Sequence, residues 1–342
     1  MTRPLLTLCD LDETYCGRLY EYLKENLILS FEIEAFTAID ILMDYAKDKE
    51  TMLLLASETA FAEMRKMNIT GMFKNILILD EDSSCLREEE NCFGETCLEH
   101  TTKYQPAFRI VDTIVDLCAR KADNFEGLGS RYGSDKGKII GLFTPLPKCG
   151  QTSLALKFGE NLSKIGRTVL LSFDSYSSLP IILGLNSEGN LTDLIYYSEG
   201  ESSKFCIYLE KIKNTLGNLD IIPPARTAMH LKEIGYESLK HLIDLLIHDC
   251  GYENIILDLS EYPEGFFDIL KLCDKLFTIV RPSGIDQYKV EMYEDVLRQN
   301  GYEDIIANTI KVSIPDIKDQ NALSKFADEL LRQEEIISEA AC

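Results

Sequence analysis

Residues 138–166 read KIIGLFTPLPKCGQTSLALKFGENLSKIG, and the fold turns on this stretch. Ile139–Phe143 is an apolar run of strand length. Leu154, Phe158, Leu162 and Ile165 then recur at helical spacing, and Gly166 is a natural stop. Between the two lies TPLPKCGQTS. In a strand, tight loop and helix of this kind, backbone N–H groups and a helix N-terminus face an anion. The fit to G-x-x-x-x-G-K-[ST] is partial. Gly150 and Thr152 fall on the second glycine and the hydroxyl, while Pro145 replaces the first glycine and Gln151 the lysine. The loop by itself fits a phosphate-binding turn and an ordinary strand–helix turn equally well.

Downstream, Arg167–Phe173 (RTVLLSF) reads as a strand ending at Asp174, and Tyr252–Leu257 (YENIIL) as another ending at Asp258. An apolar run closed by Asp places a carboxylate at the carboxyl edge of a parallel sheet, where nucleotides bind in such folds. Lys275–Val280 continues the sheet and Pro282–Gln287 caps it.

KIIGLFTPLPKCGQTSLALKFGENLSKIGRTVLLSFD, then YENIILDLSE and CDKLFTIVRPS, resembles the MinD/ParA family of deviant P-loop ATPases over residues 138 to about 320. The resemblance implies a mostly parallel sheet with helices on both faces, and ATP with Mg²⁺ as ligands. Lys148, Cys149, Gly150, Gln151, Thr152 and Ser153 would line the phosphates, largely through backbone N–H groups. The Thr152 hydroxyl would reach Mg²⁺, and Asp258 would hold Mg²⁺ through water. Asp174 matches the carboxylate that orients the attacking water, and Asn308 would contact adenine. The loop lysine is Gln151 here, and the family's signature lysine is Leu146. Lys148 is the nearest replacement for either. Phosphoryl transfer depends on neutralising the charge that builds on the transferred group. The expectation is therefore ATP binding with slow or absent hydrolysis.

The first 120 residues read as a second α/β unit. Strands are expected at Leu5–Leu8, Phe31–Phe36, Met52–Ala56, Asn75–Leu79 and Cys97–His100. Helices are expected at Asp12–Glu25, Ala38–Lys47, Glu58–Met67 and Phe108–Arg120. Five strands alternating with helices match a flavodoxin-like domain. This half resembles the response-regulator receiver family. Asp10, Asp12 and Glu13 resemble its Mg²⁺-binding cluster, and Lys103 its lysine. The third strand runs LLLAS, however, so Ala56 or Ser57 stands where the phosphoacceptor Asp belongs. Without that carboxylate no acyl phosphate forms, which makes this a pseudo-receiver suited to docking. A pseudo-receiver before a MinD/ParA-type unit resembles the TadZ/CpaE branch, which serves Tad (Flp) pilus assembly. The resemblance implies a homodimeric localisation scaffold that contacts pilus or secretion machinery, cytoplasmic and recruited to a cell pole or the inner membrane face. The alternatives are an active ParA/MinD-type positioning ATPase and a signalling adaptor whose nucleotide is purely structural.

Between the units, residues 121–138 (KADNFEGLGSRYGSDKGK) hold four glycines and little that is apolar, and read as a linker. The chain of 342 residues carries 57 Asp and Glu against 35 Lys and Arg, a net charge of −22. Such a surface repels phosphate backbones and anionic lipid, which argues against nucleic-acid coating and direct membrane insertion. No stretch approaches the roughly 20 apolar residues of a spanning helix, and no signal peptide is expected. The eleven cysteines are scattered and odd in number, as in a reduced compartment. Cys92, Cys97 and His100 match no strong zinc spacing. His241 and His248 read as packing or surface residues. The acidic run Glu88–Glu90 reads as a solvated loop. The acidic tail ALSKFADELLRQEEIISEAAC is expected to pack on its own unit or a partner. Cys149, at a helix N-terminus, is expected to have a lowered pKa but to fill the loop without acting as a nucleophile.

Overall fold

The computed structural model describes residues 4–81, 92–93, 96–125, 128, 137–185, 189–200, 202–315 and 320–337. The chain divides into two compact units, Met1–Arg131 and Tyr132–Cys342. Both are α/β, with largely parallel sheets between helices.

The first unit runs β1 (Leu5–Cys9), α1 (Glu13–Asn26), β2 (Glu32–Phe36), α2 (Ile39–Asp48), β3 (Leu53–Ser57), α3 (Glu58–Lys66), β4 (Asn75–Asp80), β5 (Cys92–Phe93), β6 (Thr96–Thr102) and α4 (Ala107–Arg120). The sheet order is β2-β1-β3-β4-β6-β5. The five long strands are parallel, and the two-residue β5, absent from the sequence reading, pairs antiparallel with β6. Strands buried on both faces need no polar alternation, so β3 and β4 read as continuous apolar runs. Asp12 caps α1 by accepting from the Thr14 and Tyr15 amides, which satisfies two otherwise orphaned donors. Within the stretch expected to be a linker, the described residues are not all solvent-facing. Phe125 and Leu128 are fully buried, and Phe125 meets Phe31 edge-on at 6.5 Å. Two apolar side chains suffice to tie down that first part. Residues 126–127 and 129–136, and the acidic run Glu88–Glu90, lie outside the described residues.

The second unit runs β7 (Lys138–Leu142), α5 (Gln151–Leu162), β8 (Thr168–Ser172), α6 (Leu179–Leu183), α7 (Leu191–Ser198), α8 (Ser202–Ile212), β9 (Asn214–Leu216), β10 (Leu219–Ile222), α9 (Ala228–Lys232), α10 (Tyr236–His248), β11 (Asn254–Asp258), α11 (Phe266–Lys271), β12 (Lys275–Ile279), α12 (Gly284–Gln299), α13 (Glu303–Ala307), β13 (Thr309–Val312) and α14 (Gln320–Gln333). The sheet order is β13-β12-β7-β11-β8-β10-β9, parallel except for the β9 edge. Alternate strand residues feed opposite faces. Val169, Leu171 and Phe173 join one core with α7, α8 and α10, while Leu170, Ile140 and Ile256 join the other with α5 and α14. Gly159 lets α5 lie close on the sheet, because a Cβ there would come within 2.7 Å of Leu219. The tail helix α14 packs on this unit through Ala327, Leu330 and Leu331. Among the described residues, no helix is long and apolar enough to cross a membrane.

Candidate nucleotide site

Because the strands are parallel, β7, β8 and β11 deliver their carboxyl ends to one edge. A cleft of about 480 Å³ opens there, lined by Thr144–Ser153, Asp174, Ser260 and Tyr262. That volume is within the usual range for small-ligand sites, about 300–1,000 Å³. Of the expected phosphate-loop residues, Lys148, Cys149, Gly150, Gln151, Thr152 and Ser153 all reach this cleft.

The loop geometry follows from residue type. Lys148 has φ +50° and Gly150 φ +89°, two left-handed turns just before α5. Alternating backbone handedness makes successive N–H groups converge, and α5 adds its unpaired first-turn amides. Gly150 suits its φ; Lys148 holds a conformation that L side chains disfavour. Leu146, at the position where the resemblance would have a lysine, is buried. The loop's start is tied to β12: Thr278 Oγ1 donates to the Phe143 carbonyl, and Thr144 Oγ1 to the Ile279 carbonyl, both at 2.8 Å.

Gln151 lines the cleft, yet its amide is spent on the sheet behind it. It is buried, and its Nε2 donates to Asp258 Oδ1 at 2.8 Å and to Ser260 Oγ at 3.3 Å. Ser172 Oγ donates to Asp258 Oδ2 at 3.3 Å. Asp258 is fully buried. Burial pushes its pKa up, nearby Asp174 adds to the rise, and hydrogen bonds from Gln151, Thr152 and Ser172 pull it back. Asp174 is half-buried on the cleft wall. Burial raises its pKa too, opposed by a Ser177 hydrogen bond and reinforced by Glu261. Burial also pushes the Cys149 thiol up, outweighing the Gln151 amide and the Arg281 charge. The expected lowering at the helix N-terminus is therefore corrected, and the thiol has no nucleophilic bias.

Asn308 does not join this site. It precedes β13, at the amino edge of the sheet, and its Nδ2 donates to the Cys273 carbonyl at 2.9 Å. The carboxyl end of β13 does reach the loop, since a Cβ on Gly150 would meet Ile314 at 3.5 Å. Arg281 belongs to the loop's surroundings as well: its Nη2 donates to the Pro147 carbonyl at 2.8 Å. A basic residue directly after a strand at the carboxyl edge was the available signal.

In the first unit, Lys103 and Asp10 form a buried ion pair at 2.8 Å, with Glu81 3.4 Å from the same ammonium. Tyr15 OH donates to the Lys103 carbonyl at 2.7 Å, and the ammonium lies over the Tyr15 ring. Ser57 ends β3 and caps α3 by accepting from the Ala60 amide. Asp12 is occupied with its own cap on α1. His100 pairs with Asp80 at 3.0 Å, and Cys97 accepts from Lys121. His241 Nε2 lies 2.9 Å from the Ser198 carbonyl, a packing role.

No family model and no curated protein matches the chain. Solved structures that share part of its fold include a ParA family ATPase from Chlorobium tepidum, at 17% identity over 58% of this chain and 93% of that one, with a TM-score of 0.44. A putative plasmid partition protein from Borrelia burgdorferi bound to AMPPNP is similar at 16% identity over 58% and 100%, with a TM-score of 0.42. The septum site-determining protein MinD from Pyrococcus horikoshii, complexed with Mg-ADP, is similar at 15% identity over 59% and 99%, with a TM-score of 0.43.

Proposed function

We propose that the second unit binds ATP with Mg²⁺ and that the chain works as a nucleotide-dependent localisation scaffold with slow or absent hydrolysis. The observation that carries the reading is the loop itself: two left-handed residues at the N-terminus of α5, open to a cleft walled by Asp174. The donor set suits a divalent cation. Among the described residues no cluster of three or more His, Cys, Asp or Glu stands ready to hold a metal, so a cation here would be held by Asp174 on the cleft wall, by Asp258 behind it and by the phosphates themselves. Thr152, which lines the cleft beside Asp258, would hold Mg²⁺ with its hydroxyl, and Asp258 would do so through water. When bound, Mg²⁺ would neutralise charge on the phosphates. Gln151, spent on Asp258, neutralises none, and this supports slow turnover.

Large apolar side chains stand exposed in the segments that follow β8 and β12. Tyr176, Ile181 and Ile285 are 80%, 88% and 73% exposed. Exposed side chains of this size next to the sheet's carboxyl edge support a homodimer through that edge. The first unit, with Ser57 in place of a phosphoacceptor, serves as a docking module. Tad pilus or secretion machinery is the proposed partner, on the TadZ/CpaE resemblance, and a cytoplasmic chain recruited to a pole or the inner membrane face is the proposed setting. An active positioning ATPase is the second reading, favoured by the presence of both Asp174 and Asp258. Titration calorimetry with ATP and Mg²⁺, followed by phosphate release, tests both: binding with turnover well below about 1 s⁻¹ fits the scaffold, and ordinary enzyme turnover fits the second reading.

A further inference from the structure

The loop lacks both lysines of the family it resembles, yet one cation outside the cleft lining is bonded to it. Arg281 stands two residues past β12 and donates from Nη2 to the Pro147 carbonyl at 2.8 Å. Its Nε lies 3.3 Å from an Asp286 carboxylate oxygen, in the first turn of α12, an ion pair without a hydrogen bond that biases where the guanidinium rests. Arg281 is not among the residues lining the cleft, so it acts through the loop. In a trans peptide the C=O and N–H point to opposite sides. Holding the Pro147 carbonyl on Arg281 therefore turns the Lys148 N–H the other way. Lys148 itself sits at φ +50°, a costly conformation that persists only when its surroundings enforce it.

We propose that Arg281 is a positioning residue that holds the Pro147–Lys148 peptide so that the loop amides face a phosphate group. This rests on the nucleotide reading of the cleft. The test compares the full chain with Arg281→Ala and Arg281→Lys. Hydrogen exchange of residues 148–152 is measured without nucleotide, and affinity for ATP with Mg²⁺ by calorimetry. Arg281→Ala is expected to speed loop exchange and to weaken ATP binding by about tenfold, the worth of one charge-assisted hydrogen bond. Arg281→Lys, which keeps one donor and the charge, is expected to recover most of both. A purely structural role would instead speed exchange throughout β7 and β12 and would not be rescued by lysine. Wild-type loop exchange in Arg281→Ala, or affinity within twofold of wild type, overturns the proposal. If Arg281→Ala does not fold, Asp286→Asn removes that ion pair and is expected to weaken binding by about threefold, and an unchanged loop and affinity overturn the proposal equally. If the wild-type chain binds no ATP while Arg281→Ala still loosens the loop, the nucleotide reading fails and the loop-holding role stands.

Discussion

Replacing Gln151 with leucine removes one amide from the interior and leaves Asp258 short of its best donor. The Gln151 Nε2 is 2.8 Å from Asp258 Oδ1, whereas the Ser260 hydroxyl is at 3.5 Å and too far to take its place. Side-chain volume changes little, so the cost is that of an underbonded buried carboxylate. Hydrogen bonds to charged groups contribute about 1.5–3 kcal/mol. For a unit of this size, about 2 kcal/mol lowers the unfolding midpoint by about 4–8 °C. The effect depends on pH with a defined sign. The pKa of Asp258 is raised on folding, so the folded state holds that proton more tightly and this group's contribution to stability falls as pH rises. Leucine removes a hydrogen bond that pulls the pKa down, so the rise becomes larger. Differential scanning calorimetry in EDTA, at pH 5 and pH 8, is expected to show the larger loss at pH 8. Equal losses at both pH values, or none at either, would refute the bonding argument.

Gln151→Lys restores an ammonium at the loop and is expected to raise ATP turnover by about 10²–10³, read as released phosphate; unchanged turnover would show that the glutamine is not what slows the site. Lys103→Met strands Asp10 without its buried partner and is expected to destabilise the first unit by about 3–5 kcal/mol in chemical denaturation, whereas a change below about 1 kcal/mol would show that the pair is dispensable. Incubation with acetyl phosphate and Mg²⁺ is expected to leave the first unit without an acid-labile phosphate, since Ser57 ends β3; a labelled aspartate there contradicts the docking-module reading.

The parts of the fold legible in the sequence were those where one force dominates. The buried strands of both sheets read as apolar runs because both faces are covered, and α1 and α5 read from their spacing and end signals. The β9–β10 hairpin was not legible: Asn214–Leu216 is a short edge strand, and Asp220 sits inside β10 because Lys213, Thr215 and Tyr252 satisfy it. A carboxylate in a strand argues against burial until the hairpin that brings Lys213 and Thr215 across from it, and Tyr252 32 positions on, is known. The same limit governs the site. Asp174, Asp258 and the loop were readable because each stands beside its own strand. The turning of Gln151 onto Asp258 and the grip of Arg281 on Pro147 join residues more than 100 positions apart, and only the folded chain brings them together. Asn308 was misplaced because a residue beside a strand belongs to the site only at the strand's carboxyl end.

The central claim is that a loop without its lysine still holds a triphosphate by its amides. Equilibrium binding of ATP with Mg²⁺ to the purified full chain tests it most directly. Saturable binding of one nucleotide per chain, lost when Thr152 and Asp258 are both replaced by alanine, is the predicted result. No detectable binding by the well-folded wild-type chain at millimolar ATP would contradict it.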